Sequence, residues 1–315
     1  MATEPQSIES SALIHQRARQ GTYSIVARDP ASGELGVAVQ SHWFSVGPIV
    51  PWAQAGVGAV ATQANVELAY GPRALDLMRD GLDARQALAQ LVAQDEGAAT
   101  RQVAVVDVHG NAAVHTGESC IPVAGHLTGD GVSCQANVMS NELVVPAMLE
   151  GFRSAPGLLA SRLLAALDAA ELAGGDVRGR QSAAILVVPA AGDPWETVVA
   201  LRVEDHPDPL EELRRLARLN EAYMAAGEGD QRVSEGDHDA AARLYQRASA
   251  LAPESDELRF WGGLGAAQTG DLEGGLAQVR AAIEINPGWR LLLSRLPAEV
   301  APAARSVLER LDAQD

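Results

Sequence analysis

Two rhythms of hydrophobic and polar positions divide the chain. Up to about residue 203, short β-type runs alternate with stretches of helical period; beyond residue 209 the period is helical throughout. Thr22–Arg28 (TYSIVAR) predicts a first strand. The turn Asp29-Pro30-Ala31-Ser32-Gly33 and the alternating Leu35, Val37 and Val39 then predict a hairpin. Gly56–Gln63 reads as a third strand. Helices are expected around Arg73–Arg79 and, behind an N-capping Asp83 with Gln86 in the capping-box place, to about Gln94. Val103–Val108 and Ala112–Thr116 predict a second hairpin across Gly110-Asn111. Helices near 143–152 and 157–171 follow, and strands Ala183–Val188 and Thr197–Val203 close the series. This order predicts an α+β fold, two antiparallel sheets packed together with helices outside.

Glu204-Asp205-His206-Pro207-Asp208-Pro209 interrupts the pattern, because two prolines among acids continue neither a strand nor a helix interior. Beyond it, Gly236-Asp237 recurs as Gly270-Asp271, Ala248 as Ala282 and Pro253 as Pro287, each 34 residues on. A 34-residue period with small residues inside the helices and a closing proline resembles tetratricopeptide repeats. Helices are expected at 210–226, 238–251, 256–269 and 272–285, with a capping helix at 290–312. Such an all-α helical repeat domain offers a concave face for a protein partner or for self-association, and a homo-oligomer is expected. The expected domains are an extension at 1–21, a mixed domain at 22–205 and the repeats at 210–315.

Composition narrows the function. A formal net charge of −17 repels phosphate backbones and argues against nucleic acid as a partner. All 24 basic residues are arginine, so a catalytic lysine is excluded. Cys120 and Cys134 are too few for a disulfide framework and lack a redox spacing. No apolar run reaches the roughly 18 residues of a membrane span, and Glu4 and Glu9 precede the only short apolar patch near the start, the wrong order for a secretory leader. A cytoplasmic location is expected. His109, His115 and His126 lack helical spacing for a metal, and neither nucleotide-binding glycine pattern is present, so no metal and no cofactor are expected.

The informative dipeptide is Gly21-Thr22. A threonine whose own α-amine is free serves as nucleophile and base together, since an ordinary α-amine titrates at about 7.7–8.0. Exposing that amine requires loss of residues 1–21, and glycine before the nucleophile tolerates the strain of attack on the preceding carbonyl. The plainer reading is a β-branched residue opening a strand after a glycine. The surroundings bear on the choice. Thr22–Asp29, Gly36–Ser41, Val50–Ala53, Ala55–Gln63, Tyr70-Gly71-Pro72, Thr116-Gly117, Gly174-Gly175-Asp176 and Arg178–Ala183 resemble the DUF1028 family over roughly residues 22–205. That resemblance implies the four-layer αββα sandwich of the N-terminal nucleophile hydrolases and a mechanism class, with no substrate. A hydrolase of a small amide is expected, since nothing in the sequence suggests a proteolytic chamber, with a cut between Gly21 and Thr22 because 21 residues precede the threonine. The contrasting expectation is a non-catalytic scaffold in which the chain stays uncut and the repeats bind partners.

Other candidates surround the same strand ends. Ser41 and His42 point to opposite strand faces and make a poor dyad; His42 lines a pocket or packs on Trp43. Gln63 and Asn65 offer amide donors to a substrate or simply bond their loop. Gln135 and Asn137 share one face of an extended segment, and Asn137 or a nearby backbone N–H is a candidate oxyanion donor, with strand capping as the competing role. Asp176, Arg178, Gln181 and Ser182 form a polar approach to the next strand that either supports a nucleophile or makes a surface ion pair. Trp43, Phe44 and Trp52 shape an apolar pocket or an interface.

Overall fold

Thr22–Arg28 forms strand β1, and its first six residues are all buried. A strand covered on both faces needs no alternation of polar and apolar positions. The computed structural model describes residues 21–313. It places β1 inside a six-stranded antiparallel sheet that runs, edge to edge, Val199–Val203 (β10), Ser182–Val188 (β9), Leu35–Ser41 (β2), β1, Val132–Asn137 (β8) and Gly125–Gly129 (β7). A second antiparallel sheet orders Pro51–Gln54 (β3), Gly58–Ala64 (β4), Arg101–Asp107 (β5) and Ala112–Thr116 (β6). Val26, Val37, Val39, Ala59, Ala61, Ala104 and Val106 fill the space between the two sheets. Small and β-branched side chains suffice because aromatics are only 4% of the chain.

Helices cover the outer faces of both sheets. Tyr70–Arg79 (α1) and Ala84–Gln94 (α2) pack Ala74, Leu75, Leu88 and Leu91 against Val60, Val103 and Val105 of the four-stranded sheet. The Asp83–Gln86 capping box is formed in full at the start of α2. Val144–Ser154 (α3) and Leu159–Leu172 (α4) lie on the six-stranded sheet. Gly36 of β2 makes room for α4, since a Cβ there would stand 2.7 Å from Leu163 Cδ1.

The chain divides into one unit ending at Arg214 and another beginning at Arg215, and Pro209–Ser234 (α5) runs through the boundary. The second unit is helical: His238–Leu251 (α6), Asp256–Gln268 (α7), Leu272–Ile285 (α8), Gly288–Leu293 (α9) and Ala304–Asp312 (α10). Helices α6 and α8 begin and end 34 residues apart. Asp237 caps α6 through Ala240 N–H and Asp271 caps α8 through Gly274 N–H, at 3.0 and 2.9 Å, each behind a glycine of positive φ, Gly236 or Gly270. Phe260 stacks on Trp289 with centroids 4.8 Å apart inside the core of this unit.

Several expectations need correction. The single capping helix at 290–312 is two helices, because Pro297 and Pro302 occupy the segment between α9 and α10. The first helix of the second series reaches Ser234 rather than 226. Strand β3 has no counterpart in the sequence reading: its four residues are half-buried and carry no clean alternation. The third predicted strand starts at Gly58, since Gly56 (φ 69°) and Val57 belong to the β3–β4 turn. Residues 1–20 of the expected extension lie outside the described residues. No helix among the described residues is long and apolar enough to cross a membrane.

Near one end of the inter-sheet space the apolar core gives way to amides. Gln102 lies at its centre: its Nε2 reaches Thr116 Oγ1 (2.9 Å), Ala136 O (3.0 Å) and Gly125 O (3.2 Å). Its Oε1 accepts from Gln63 Nε2 at 2.8 Å and Asn137 Nδ2 at 3.0 Å. Ser24 Oγ donates to Gln63 Oε1 at 2.5 Å and accepts from Gln135 Nε2 at 2.6 Å, while Ser133 Oγ donates to Gln135 Oε1 at 2.8 Å. The amides thus bridge β1, β4, β5 and β8.

Two predictions follow from this packing. Replacing Gln102 with Leu strands donors and acceptors from both sheets, each costing about 1–3 kcal/mol when buried without a partner; urea unfolding of Gln102→Leu is expected to show that loss, and wild-type stability would dismiss the network as a tie. Asp107 accepts from Ala84 N, His109 N, Asn111 N and Asn111 Nδ2. Burial pushes its carboxyl up, but these hydrogen bonds outweigh burial and hold it below the usual range. Its stabilisation is therefore complete above the unfolded value of about 3.9 and disappears as pH falls through the lower folded value. The stability gap between wild type and Asp107→Ala is expected to be constant from pH 7 to 5 and to close in more acid solution, measured by thermal melts across pH.

Candidate active site

Four strand positions line up at one end of the six-stranded sheet. Asn137 of β8 pairs with Thr22, Thr22 with Ser41 of β2, and Ser41 with Ser182 of β9. All four are buried, Thr22 at 2% exposure. The Thr22 hydroxyl donates to Ser41 Oγ at 3.1 Å, and Ser41 Oγ donates in turn to the carbonyl oxygen of Gly21 at 2.6 Å. That carbonyl accepts a second hydrogen bond, from Arg178 Nη2 at 2.8 Å. Two donors, one of them cationic, thus hold the carbonyl immediately preceding the threonine, and such donors stabilise negative charge that develops on the oxygen.

Arg178 is aimed by Asp176. The carboxylate accepts from Arg178 N (2.9 Å), Nε (3.0 Å) and Nη2 (2.7 Å), and more weakly from His42 N at 3.4 Å. The Asp176 side chain is wholly buried. The turn carrying it is strapped to the segment after β8, since Ser140 N–H donates to Gly175 O, Val177 N–H donates to Val138 O, and Met139 bridges to Asp176. Ser182 donates to Trp43 O at 2.5 Å and accepts from Val46 N–H at 3.1 Å, fixing the loop that follows His42. His42 Nδ1 lies 3.3 Å from Arg180 O.

The structure brings Gly21, Thr22, Asp176 and Arg178 into direct contact, with Asn137 and Ser182 on the same row and His42 at its rim. Gln63 touches Thr22 only through the backbone carbonyl, at 3.3 Å; its amide and that of Gln135 are bonded within the inter-sheet network. The Asn137 amide donates to Gln102. Asn65 stands apart, donating to Thr100 Oγ1 at 3.0 Å and accepting from Arg101 at its carbonyl. Sequence reasoning missed two residues. Ser41 reads from sequence only as half of a Ser-His pair, its place opposite Thr22 being a matter of register; Gln102, the second residue of β5, carries no local signal.

Backbone strain concentrates here. Ser45, Ala64, Val123 and Val138 are the non-glycine residues of positive φ among the described residues. Val138 and Ala64 directly follow Asn137 and Gln63, Ser45 lies in the His42 loop, and Val123 O accepts from Met139 N–H. A β-branched residue such as Val138 at φ 60° is a genuine outlier, and strain of this kind gathers at functional sites. Beside this segment Thr116, Cys120, Gly125, His126, Met139 and Val145 line an open cavity of about 750 Å³. Burial pushes both thiols, Cys120 and Cys134, up, which opposes a thiolate nucleophile. Among the described residues no group of three or more His, Cys, Asp or Glu could hold a metal.

No curated protein matches the chain. A solved structure does: the crystal structure of a protein from Silicibacter pomeroyi, carrying the DUF1028 family description, is 34% identical, covers 63% of this chain and 88% of its own, and superposes with a TM-score of 0.58. Residues 22–213 match the model described as "Family of unknown function (DUF1028)". The sandwich that carries Thr22 at its first strand is therefore that of a family, and the chain belongs to DUF1028.

Proposed function

We propose that the chain is an N-terminal-nucleophile hydrolase of C–N bonds in small amides, with Thr22 as nucleophile after loss of residues 1–21. The observation that carries this reading is the Gly21 carbonyl, gripped by Ser41 and Arg178 while the Thr22 hydroxyl bonds to the same serine. The succession helix pair, six-stranded sheet, four-stranded sheet, helix pair supports the αββα class, and the family match begins at Thr22.

Self-cleavage uses the same groups. Thr22 Oγ bonds to the Gly21 carbonyl carbon, negative charge passes to the oxygen held by Ser41 and Arg178, and the Gly21–Thr22 C–N bond breaks. The proton lost by the hydroxyl ends on the departing nitrogen. Water then hydrolyses the ester, leaving Gly21 as a carboxylate and Thr22 with a free amine. That amine, ordinarily titrating at about 7.7–8.0, takes the hydroxyl proton in later turnovers, a role no lysine can fill in this chain. Asn137, whose amide also donates to Gln102, remains a candidate further oxyanion donor beside Ser41 and Arg178; His42, Asp176, Arg178 and Ser182 border the substrate, and Gln63 and Gln135 support the Thr22 strand through the inter-sheet network.

A second reading concerns the other unit. The 34-residue register of α6 and α8, with matched caps at Asp237 and Asp271, supports a tetratricopeptide-like array that binds a protein partner or a second copy of the chain in the cytoplasm.

The intact mass and first residue of the purified protein test the hydrolase. The wild-type chain is expected to begin at Thr22 and the Thr22→Ala variant to keep its full length and hydrolyse nothing. A wild-type chain that remains full-length after prolonged incubation, or a Thr22→Ala chain cut at the same bond, would sink the proposal.

A further inference from the structure

Gly21 sits where no other residue fits. A Cβ built on it would stand 2.6 Å from Asp176 Oδ2, 2.8 Å from Arg178 Nη2 and 2.9 Å from Val138 Cβ. The restriction comes from the walls of its site. Those walls are stiff. Asp176 is fully buried and bonded three times by Arg178. Val138 presents a β-carbon, which no rotamer change moves, on a segment tied to the Asp176 turn by paired backbone hydrogen bonds. The three atoms cannot all retreat without breaking the grip on the Gly21 carbonyl.

Resting on the hydrolase reading, we propose that the space now filled by Gly21 becomes the acyl subsite once residues 1–21 have left, and that it selects glycyl amides. The substrate carbonyl then takes the place of the Gly21 carbonyl, between Ser41 Oγ and Arg178 Nη2, within reach of Thr22 Oγ. An α-hydrogen fits against Asp176, Arg178 and Val138; an L-configured methyl does not. In turnover Thr22 Oγ bonds to the acyl carbon as its proton passes to the Thr22 amine. The amide C–N bond breaks as the leaving amine takes that proton, and water cleaves the glycyl ester to a carboxylate, restoring the hydroxyl. The subsite thus recognises an acyl group by the absence of a side chain, and the leaving amine is left unspecified by it.

The test uses the mature enzyme beginning at Thr22 with N-acetyl-glycyl-p-nitroanilide and N-acetyl-L-alanyl-p-nitroanilide. The glycyl probe is expected to be favoured in kcat/KM on the order of 100-fold, the upper range that one methyl group can impose. Comparable rates on both probes would overturn the subsite while leaving the hydrolase intact. Hydrolysis of neither by an enzyme that begins at Thr22 would overturn both. A second measurement needs no added substrate. Full-length Gly21→Ala is expected to be cut at least 10-fold more slowly than wild type, and the additional Val138→Gly change is expected to restore part of the rate. Cutting of Gly21→Ala at the wild-type rate would refute the crowding argument directly.

Discussion

The inter-sheet amide network is the tie on which the rest of the sandwich depends. Apolar burial between two sheets is non-directional, so Val and Ala side chains carry no bond direction that would fix one alignment. A primary amide does not, since each of its donors and acceptors has a fixed direction. Gln102 links Gln63, Asn137 and the carbonyls of β7 and β8 in one set of hydrogen bonds. It therefore sets the depth at which the four-stranded sheet meets the six-stranded one. Gln40, on the opposite face of β2, provides the contrast: its side-chain amide is buried and neither of its polar atoms finds a partner.

That tie places the row of polar residues at the sheet end. Thr22 and Ser41 owe their separation to antiparallel pairing, and Asn137 stands beside them because β8 is anchored to Gln102 from the facing sheet. The Asp176–Arg178 pair then reaches the row from a loop rather than a strand. An arginine suits this position better than a lysine, because its planar fork bonds a carboxylate and a carbonyl together. The pair does not stand alone in solvent, where an ion pair contributes little; it is tied to a buried carboxylate and to the main chain.

Much of this was legible from residue order. The Thr22–Arg28 run, the Asp83/Gln86 capping box and the 34-residue spacing each follow from local chemistry, and the structure forms all three. The blocks around Thr22 pointed to the family without any geometry. What stayed hidden depends on partners remote in the chain. Ser41 matters only because register sets it opposite Thr22, and Gln102 only because two sheets close over it. Strand β3 is four half-buried residues held by its neighbour β4, with too little periodicity to announce itself. Asn65 looked equivalent to Gln63 two positions earlier, yet Ala64 takes a positive φ and turns the chain toward Thr100.

The grip on the Gly21 carbonyl is assembled from residues 21, 41 and 178, with walls from 138 and 176. Only 176 and 178 are neighbours in the chain, and 21 and 41 meet across the β1–β2 hairpin, so that hairpin alone cannot present the complete grip. It exists only after β1 has paired on both sides and the turn before β9 has docked. Long-range contacts of this kind form late, since chain closure must be completed before they are rewarded. The surroundings of the Gly21–Thr22 bond therefore report on assembly: the donors that hold its carbonyl are absent from an unfinished chain and present in a finished one.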